Sequence, residues 1–225
     1  MPGLVPFALE DAMTREEILD RYRRLRAIST RHHGAALKFL SRAAILIHAK
    51  RLGLTVGRML VPESEEEMTL AFDLALYTAK DGRSGALDRY ARAVRLAPGS
   101  DEARMLDAMR DAHFSIWRLE RRHDTAGLIV TDVLREIETW LIDEKLEASA
   151  PEGMSFAGRL CAPEGFAMSC GVVVPVDRGL IEEVALDMLA WRHGDPNGVA
   201  QDPRFAIAIY RAAIDNGIMA SVIYE

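Results

Sequence analysis

Apolar residues recur three and four positions apart through the first half of the chain, and near His113 the spacing falls to two. Thr14 and Glu17 form a capping box ahead of Ile18, Tyr22 and Leu25, which predicts a helix to about His33, broken by Gly34. A second helix, Ala35 to Leu52, is apolar on most sides and is expected at the centre of the helical half. Gly53 offers it a left-handed stop, with Leu54 placed to close the end hydrophobically. Ser64 and Glu67 repeat the capping box and open a helix through Met68, Phe72, Ala75, Leu76 and Ala79, ending at Asp81-Gly82. Ser84 caps a fourth with Leu87, Tyr90 and Val94, which Pro98 terminates. Ser100 opens a shorter fifth, with Asp101 and Glu102 near its positive end.

Beyond His113 five short runs rich in Ile, Val, Phe and Trp read as strands. They are Phe114–Leu119, Leu128–Leu134, Glu138–Asp143, Met154–Cys161 and Phe166–Val174. The tetrapeptide Ala-Pro-Glu-Gly stands at Ala150–Gly153 and again at Ala162–Gly165, suiting a type I turn closed by a bulge. Short connections predict an antiparallel meander or a small, partly open barrel. Apolar residues on both parities, Ile116 with Trp117 and Ile129 with Val130, predict one face lining the barrel and one meeting helices.

Helix returns from about Gly179 to His193, followed by turn chemistry at Asp195-Pro196-Asn197-Gly198. Asp202-Pro203 starts a last helix, Asn216-Gly217 stops it, and Ile218–Tyr224 is apolar enough to be a docked strand. The expected class is α+β: a helical N-terminal domain (1–112), a β-meander or small barrel (113–176), and C-terminal helices packed on the rest (177–225).

Composition adds little. The chain is 49% apolar and 28% charged, enough for a core that needs no metal or disulfide. Two cysteines, no leader pattern at the N-terminus and no long apolar run together predict a cytoplasmic protein with no membrane contact. Charge changes the picture. Residues 1–58 hold 11 Lys/Arg against 5 acids, a basic end within a chain of net charge −6.

No motif fixes a chemistry. Ala167-Met168-Ser169-Cys170-Gly171 approaches a hydrolase nucleophile elbow, but Val172–Val174 continue the strand, so Ser169 is expected mid-strand without the sharp turn. A three-residue loop at Pro163–Gly165 pairs Leu160 with Met168 and Gly158 with Cys170, which turns Cys161 to the other face and argues against a disulfide. The six histidines show no paired zinc spacing, no phosphate loop occurs, and neither a metal nor a cofactor is expected. Tyr90–Pro98 resembles one helix of a tetratricopeptide repeat, without a second copy.

The basic N-terminal helix is the remaining feature, with Arg21, Arg24 and Arg31 on one broad face and Arg23 and Arg26 flanking it. Such a face pairs with the acidic body or with a partner subunit, or it contacts phosphates through counterion release.

The segment from Ala112 to Val174 carries Phe114-Ser115-Ile116-Trp117-Arg118-Leu119-Glu120, Trp140-Leu141-Ile142-Asp143-Glu144 and Ser149-Ala150-Pro151-Glu152-Gly153. It resembles a β-rich domain of uncharacterised bacterial proteins, a family of unknown function. Some relatives of that kind carry a cysteine-rich zinc motif at the C-terminus. This chain has none, so no zinc role carries over, and the resemblance implies no activity.

The sequence thus favours a non-catalytic binding or regulatory protein, with a polyanion such as nucleic acid, or an acidic protein surface, as partner of Arg21, Arg23, Arg24, Arg26 and Arg31. One alternative is an enzyme assembled from dispersed residues around the meander, with His113, His123, Asp132 and Asp143 as first candidates. The other is a homodimer that pairs basic and acidic ends.

Overall fold

The computed structural model describes residues 13–57, 59–78, 85–188 and 194–218. Helix α1 (Arg15–Leu37) opens on the expected capping box, Glu17 N–H to the Thr14 hydroxyl at 3.3 Å and Thr14 N–H to the Glu17 carboxylate at 2.8 Å. Gly34 does not break it. An interior glycine costs under about 1 kcal/mol, and the helix continues past it to bury Ala36. Helix α2 (Arg42–Arg51) therefore begins later than expected, at a Ser41 cap. It is not the central helix either, since only His48 and Ala49 are buried in it. Its stop is as expected: Gly53 takes φ +83°, and Leu54 N–H reaches the Ala49 carbonyl at 2.9 Å.

A two-residue hairpin follows, β1 (Thr55–Val56) and β2 (Met59–Leu60). The centre belongs to α3 (Glu65–Tyr77), which buries Leu70, Ala71, Asp73, Leu74, Ala75 and Leu76. It ends at Tyr77, where Thr78 turns extended, earlier than the expected Asp81-Gly82. That stop and the Ser84 cap lie outside the described residues. Helix α4 (Ala86–Ala93) likewise ends short of Pro98 because Val94 is extended, and α5 (Asp101–Arg110) starts at Ser100 as expected.

All five expected strands form: β3 (His113–Arg122), β4 (Leu128–Asp132), β5 (Ile137–Leu141), β6 (Ser155–Cys161) and β7 (Met168–Val176). Their order is β5-β4-β3-β6-β7, all antiparallel, so β3–β5 are a meander and β6–β7 a second hairpin on the other side of β3. Helix α6 (Glu144–Ser149), unforeseen in the sequence, lies in that crossing. The sheet is not closed into a barrel, but its edges touch at one parallel bridge. Ala167 N–H donates to the Trp140 carbonyl at 2.8 Å and Ile142 N–H to the Ala167 carbonyl at 2.9 Å. Trp117, Leu119, Leu128, Val130, Leu141, Phe156, Leu160 and Val173 pack together on the inner face, while Ile116, Ala157, Cys161, Met168, Cys170 and Val172 join the clusters formed with the helices.

That bridge corrects the register expected for β6 and β7. Ala167 leaves the hairpin to reach β5, so Cys161 pairs with Met168 and Leu160 with Ser169. One residue of slip exchanges faces. Cys161 and Cys170 consequently share the helix-facing side, both as free, buried thiols.

Helices α7 (Arg178–Asp187), α8 (Pro196–Gln201) and α9 (Phe205–Asp215) follow among the described residues. Asp195–Gly198, expected as a turn, is instead the start of α8, with Asp195 as its cap. Helix α9 packs on α3, α7 and β7, and Gly217 ends it at φ +68°. Helix α7 stops at Asp187, where Met188 turns extended, short of the expected His193, and residues 219–224 of the expected docked tail lie outside the described residues. No described helix is long and apolar enough to cross a membrane.

Candidate functional site

The five arginines singled out on α1 are all engaged with partners inside the molecule. Arg21 grips Asp101 with both terminal nitrogens, at 2.6 and 2.8 Å, and Glu164 with Nε at 2.9 Å. The Arg21 contact, with burial opposing it and Arg104 adding to it, holds the Asp101 carboxyl well below the usual range. Arg23 pairs with Glu144 at 2.6 Å and Asp20 at 3.1 Å, Arg24 with Asp101 at 2.9 Å, and Arg31 with Glu102 at 3.5 Å. Arg26 is the innermost. It donates to the Ser169 carbonyl at 2.7 Å, the Ser169 hydroxyl at 2.8 Å and the Tyr22 hydroxyl at 2.9 Å, with Asp143 at 3.3 Å. These contacts clamp α1 to α5, to the β6–β7 turn, to α6 and to β7.

His113, His123, Asp132 and Asp143 do not converge. His113 lies 3.6 Å from Asp132, whose carboxylate also accepts from Ser115 at 2.6 Å, Leu134 N–H at 2.9 Å and Arg135 at 2.7 Å. Burial raises the Asp132 pKa, but hydrogen bonds from His113, Ser115 and Arg135 outweigh it and hold it at about 2. Asp132 thus braces the β4–β5 turn. Asp143, near the other end of that strand pair, caps α6 through Lys145 and Leu146 N–H, both at 3.1 Å, and accepts from Ser169 at 2.6 Å. His123 stacks on Trp140, ring centroids 4.7 Å apart, and takes the Thr125 N–H at 3.2 Å. Ser169 lies within strand β7, as its second residue, and donates to a carboxylate, with no elbow.

A polar seam that sequence reasoning missed runs between the sheet and helices α1, α3 and α9. The β6–β7 ladder shifts between Leu160 and Gly158, so Cys170, Gly171 and Val172 oppose the single residue Arg159. Gly171 takes φ +97°, and the Asp73 carboxylate lies where a β-carbon would stand, so only glycine fits. Arg159, 6% exposed, pairs with Asp73, which also accepts from the Tyr210 hydroxyl at 2.8 Å. The guanidinium lies 4.7 Å from the Tyr77 ring centroid and 5.2 Å from that of Phe114.

Next to this pair the Tyr77 hydroxyl meets the Cys170 sulfur at 2.8 Å and His33 Nε2 at 2.7 Å, and His33 Nδ1 faces the Ser29 hydroxyl at 3.4 Å. Burial pushes the Cys170 thiol up, but hydrogen bonds from Cys161, His33 and Tyr77 outweigh it and hold the thiol well below its ordinary value. Cys161 moves the opposite way, raised by its hydrogen bond to Cys170 and by burial. Two signals for this seam were present: a glycine inside a strand, and charges at Asp73 and Arg159 within apolar runs. Among the described residues no group of three His, Cys, Asp or Glu side chains could hold a metal.

A group of exposed cations lies at the far end of α1. Arg89 donates to the Phe39 carbonyl at 2.7 Å, and the Phe39 and Tyr90 rings pack 5.7 Å apart, which holds α4 against the α1–α2 turn. Around this contact Lys38, Arg42, Arg92 and Arg95 are exposed and make no ion pair among the described residues.

The chain belongs to a family of unknown function, DUF7986, whose model matches residues 16–219, well beyond the sheet to which the resemblance in the sequence was confined. No curated protein and no solved structure matches it.

Proposed function

For this member of the family we propose a non-catalytic binding role, with a polyanion such as nucleic acid as the partner. The observation that carries the reading is the group Lys38, Arg42, Arg92 and Arg95, four exposed cations that make no ion pair among the described residues. A polyanion surrounded by condensed counterions gains entropy when such cations displace them. Arg21, Arg23, Arg24, Arg26 and Arg31 serve the reading differently: their carboxylate partners neutralise them and fix the helix that ends at Lys38. Two buried free thiols suit the reducing cytoplasm, which we take as its compartment.

The test is fluorescence anisotropy with short labelled single- and double-stranded DNA and RNA over a salt series. Four contacts on a duplex give a slope of roughly −3 to −4 in log affinity against log salt. A variant with Lys38, Arg42, Arg92 and Arg95 changed to Glu is expected to lose binding. The comparison variant is Arg121→Glu with Lys145→Glu, two exposed cations on β3 and on α6, the helix whose Glu144 and Glu147 pair with Arg23 and Arg15 of α1. It is expected to bind almost as the parent does. No binding at low salt, or equal loss in both variants, overturns the reading.

A further inference from the structure

We propose that Cys161 and Cys170 form a peroxide-responsive dithiol, with Cys170 as the attacking sulfur and Cys161 as the resolving one. This stands apart from the polyanion reading. The two thiols are buried in one cluster on the same side of neighbouring strands. The chain Ser29, His33, Tyr77, Cys170 has links of 3.4, 2.7 and 2.8 Å, so a proton leaving Cys170 has a continuous path. As a thiol, Cys170 donates to the Tyr77 oxygen while the Tyr77 hydroxyl donates to His33. As a thiolate it accepts from Tyr77, which in turn accepts from His33 Nε2–H. Tyr77 and His33 are half-buried and are the members of the chain nearest the surface, whereas both sulfurs are buried. That restricts the reagent to one about the size of water, and hydrogen peroxide qualifies.

The chemistry balances. The Cys170 thiolate attacks one peroxide oxygen, an S–O bond forms as the O–O bond breaks, and sulfur is oxidised while peroxide is reduced. The departing hydroxide takes the proton parked on His33 and leaves as water. The Cys161 sulfur then displaces the hydroxyl from Cys170, which departs with the Cys161 proton as a second water, leaving a disulfide. Closing it needs the sulfurs to approach to about 2.05 Å. The bulge permits that movement, because the ladder pairs none of Cys170, Gly171 and Val172.

The experiment treats the reduced full chain with a small excess of hydrogen peroxide and follows intact mass and the tryptic peptide from Leu160 to Arg178, which holds both cysteines. The expected product is that peptide lighter by about 2 Da, formed faster in the folded protein than in guanidinium chloride, since a thiol that is merely buried reacts more slowly when folded. In Cys161→Ser, Cys170 is expected to gain about 16 Da as sulfenic acid, trapped by dimedone. Tyr77→Phe is expected to slow the native reaction on the order of tenfold and leave the unfolded rate unchanged. Three results overturn the proposal: oxidation slower in the folded than in the unfolded protein, a Cys170→Ser protein whose Cys161 oxidises at the parent rate, or sulfinic acid at Cys170 in place of the disulfide.

Discussion

Helix α1 and the C-terminal end of helix α4 both present arginines to the outside, and among the described residues carboxylates pair with those of α1 but not with Arg92 or Arg95. The α1 arginines meet Asp101, Glu164, Glu144, Glu102 and Asp143, drawn from α5, the β6–β7 turn and α6. Arg92 and Arg95, with Lys38 and Arg42 across the Phe39 contact, meet none among the described residues. The same residue type therefore serves as a fastener in one place and a free charge in the other. Burial grades the fasteners: Arg159 is 6% exposed, the Arg26 and Arg21 side chains 18% and 20%, and that of Arg24 69%. Effects of substitution on stability should fall along that series and reach nothing at the free group, where only binding should change.

The largest effect belongs to the most buried charge. Arg159→Ala strands Asp73 in the interior and should cost about 3–5 kcal/mol in urea unfolding. Arg159→Met with Asp73→Leu should recover most of that, because no unpaired charge remains; failure to recover it would mean that the pair itself fixes the bulge. Arg26→Ala leaves Asp143 and Ser169 short of a donor and is expected to cost about 2–3 kcal/mol by the same measurement. Arg21→Ala, which removes a two-pronged clamp with partial solvent screening, should cost about 1–2 kcal/mol. Arg24→Ala should cost under about 1 kcal/mol.

The Arg21 effect carries a pH signature. Asp101 is held below its ordinary value of 3.8 in the folded protein, chiefly by Arg21. A carboxylate with a depressed folded pKa stabilises above its unfolded value, and that stability is lost as pH falls below it. The difference between parent and Arg21→Ala should therefore be full above about pH 4 and shrink as the solution becomes more acid. A difference that persists unchanged at pH 2 would contradict this account of the clamp.

Much of this arrangement could be read along the chain, and what could not has a common cause. Local signals held: the caps at Thr14 and Ser100, the stop at Gly53, and all five strands between their turn residues. Pairings between distant segments did not. The neighbour of β6 is β3, and both faces of these strands are apolar, so periodicity carried no information about which partner or face was right. Ala167 was diverted to β5, and that single residue exchanged the faces of the cysteines. Asp73 and Arg159 stand 86 positions apart, and nothing local links them. The α1 cluster stands out in the sequence as charge, but its neutralising acids are spread over residues 101 to 164, so nothing local separates it from Lys38, Arg42, Arg92 and Arg95.

The salt slope of duplex binding, measured for single neutralisations, tests the division between fastener and free charge most directly. Arg92→Gln should reduce the slope by about one, and Arg24→Gln should leave it unchanged. Equal slopes for the parent and Arg92→Gln, or a reduced slope for Arg24→Gln, would contradict it.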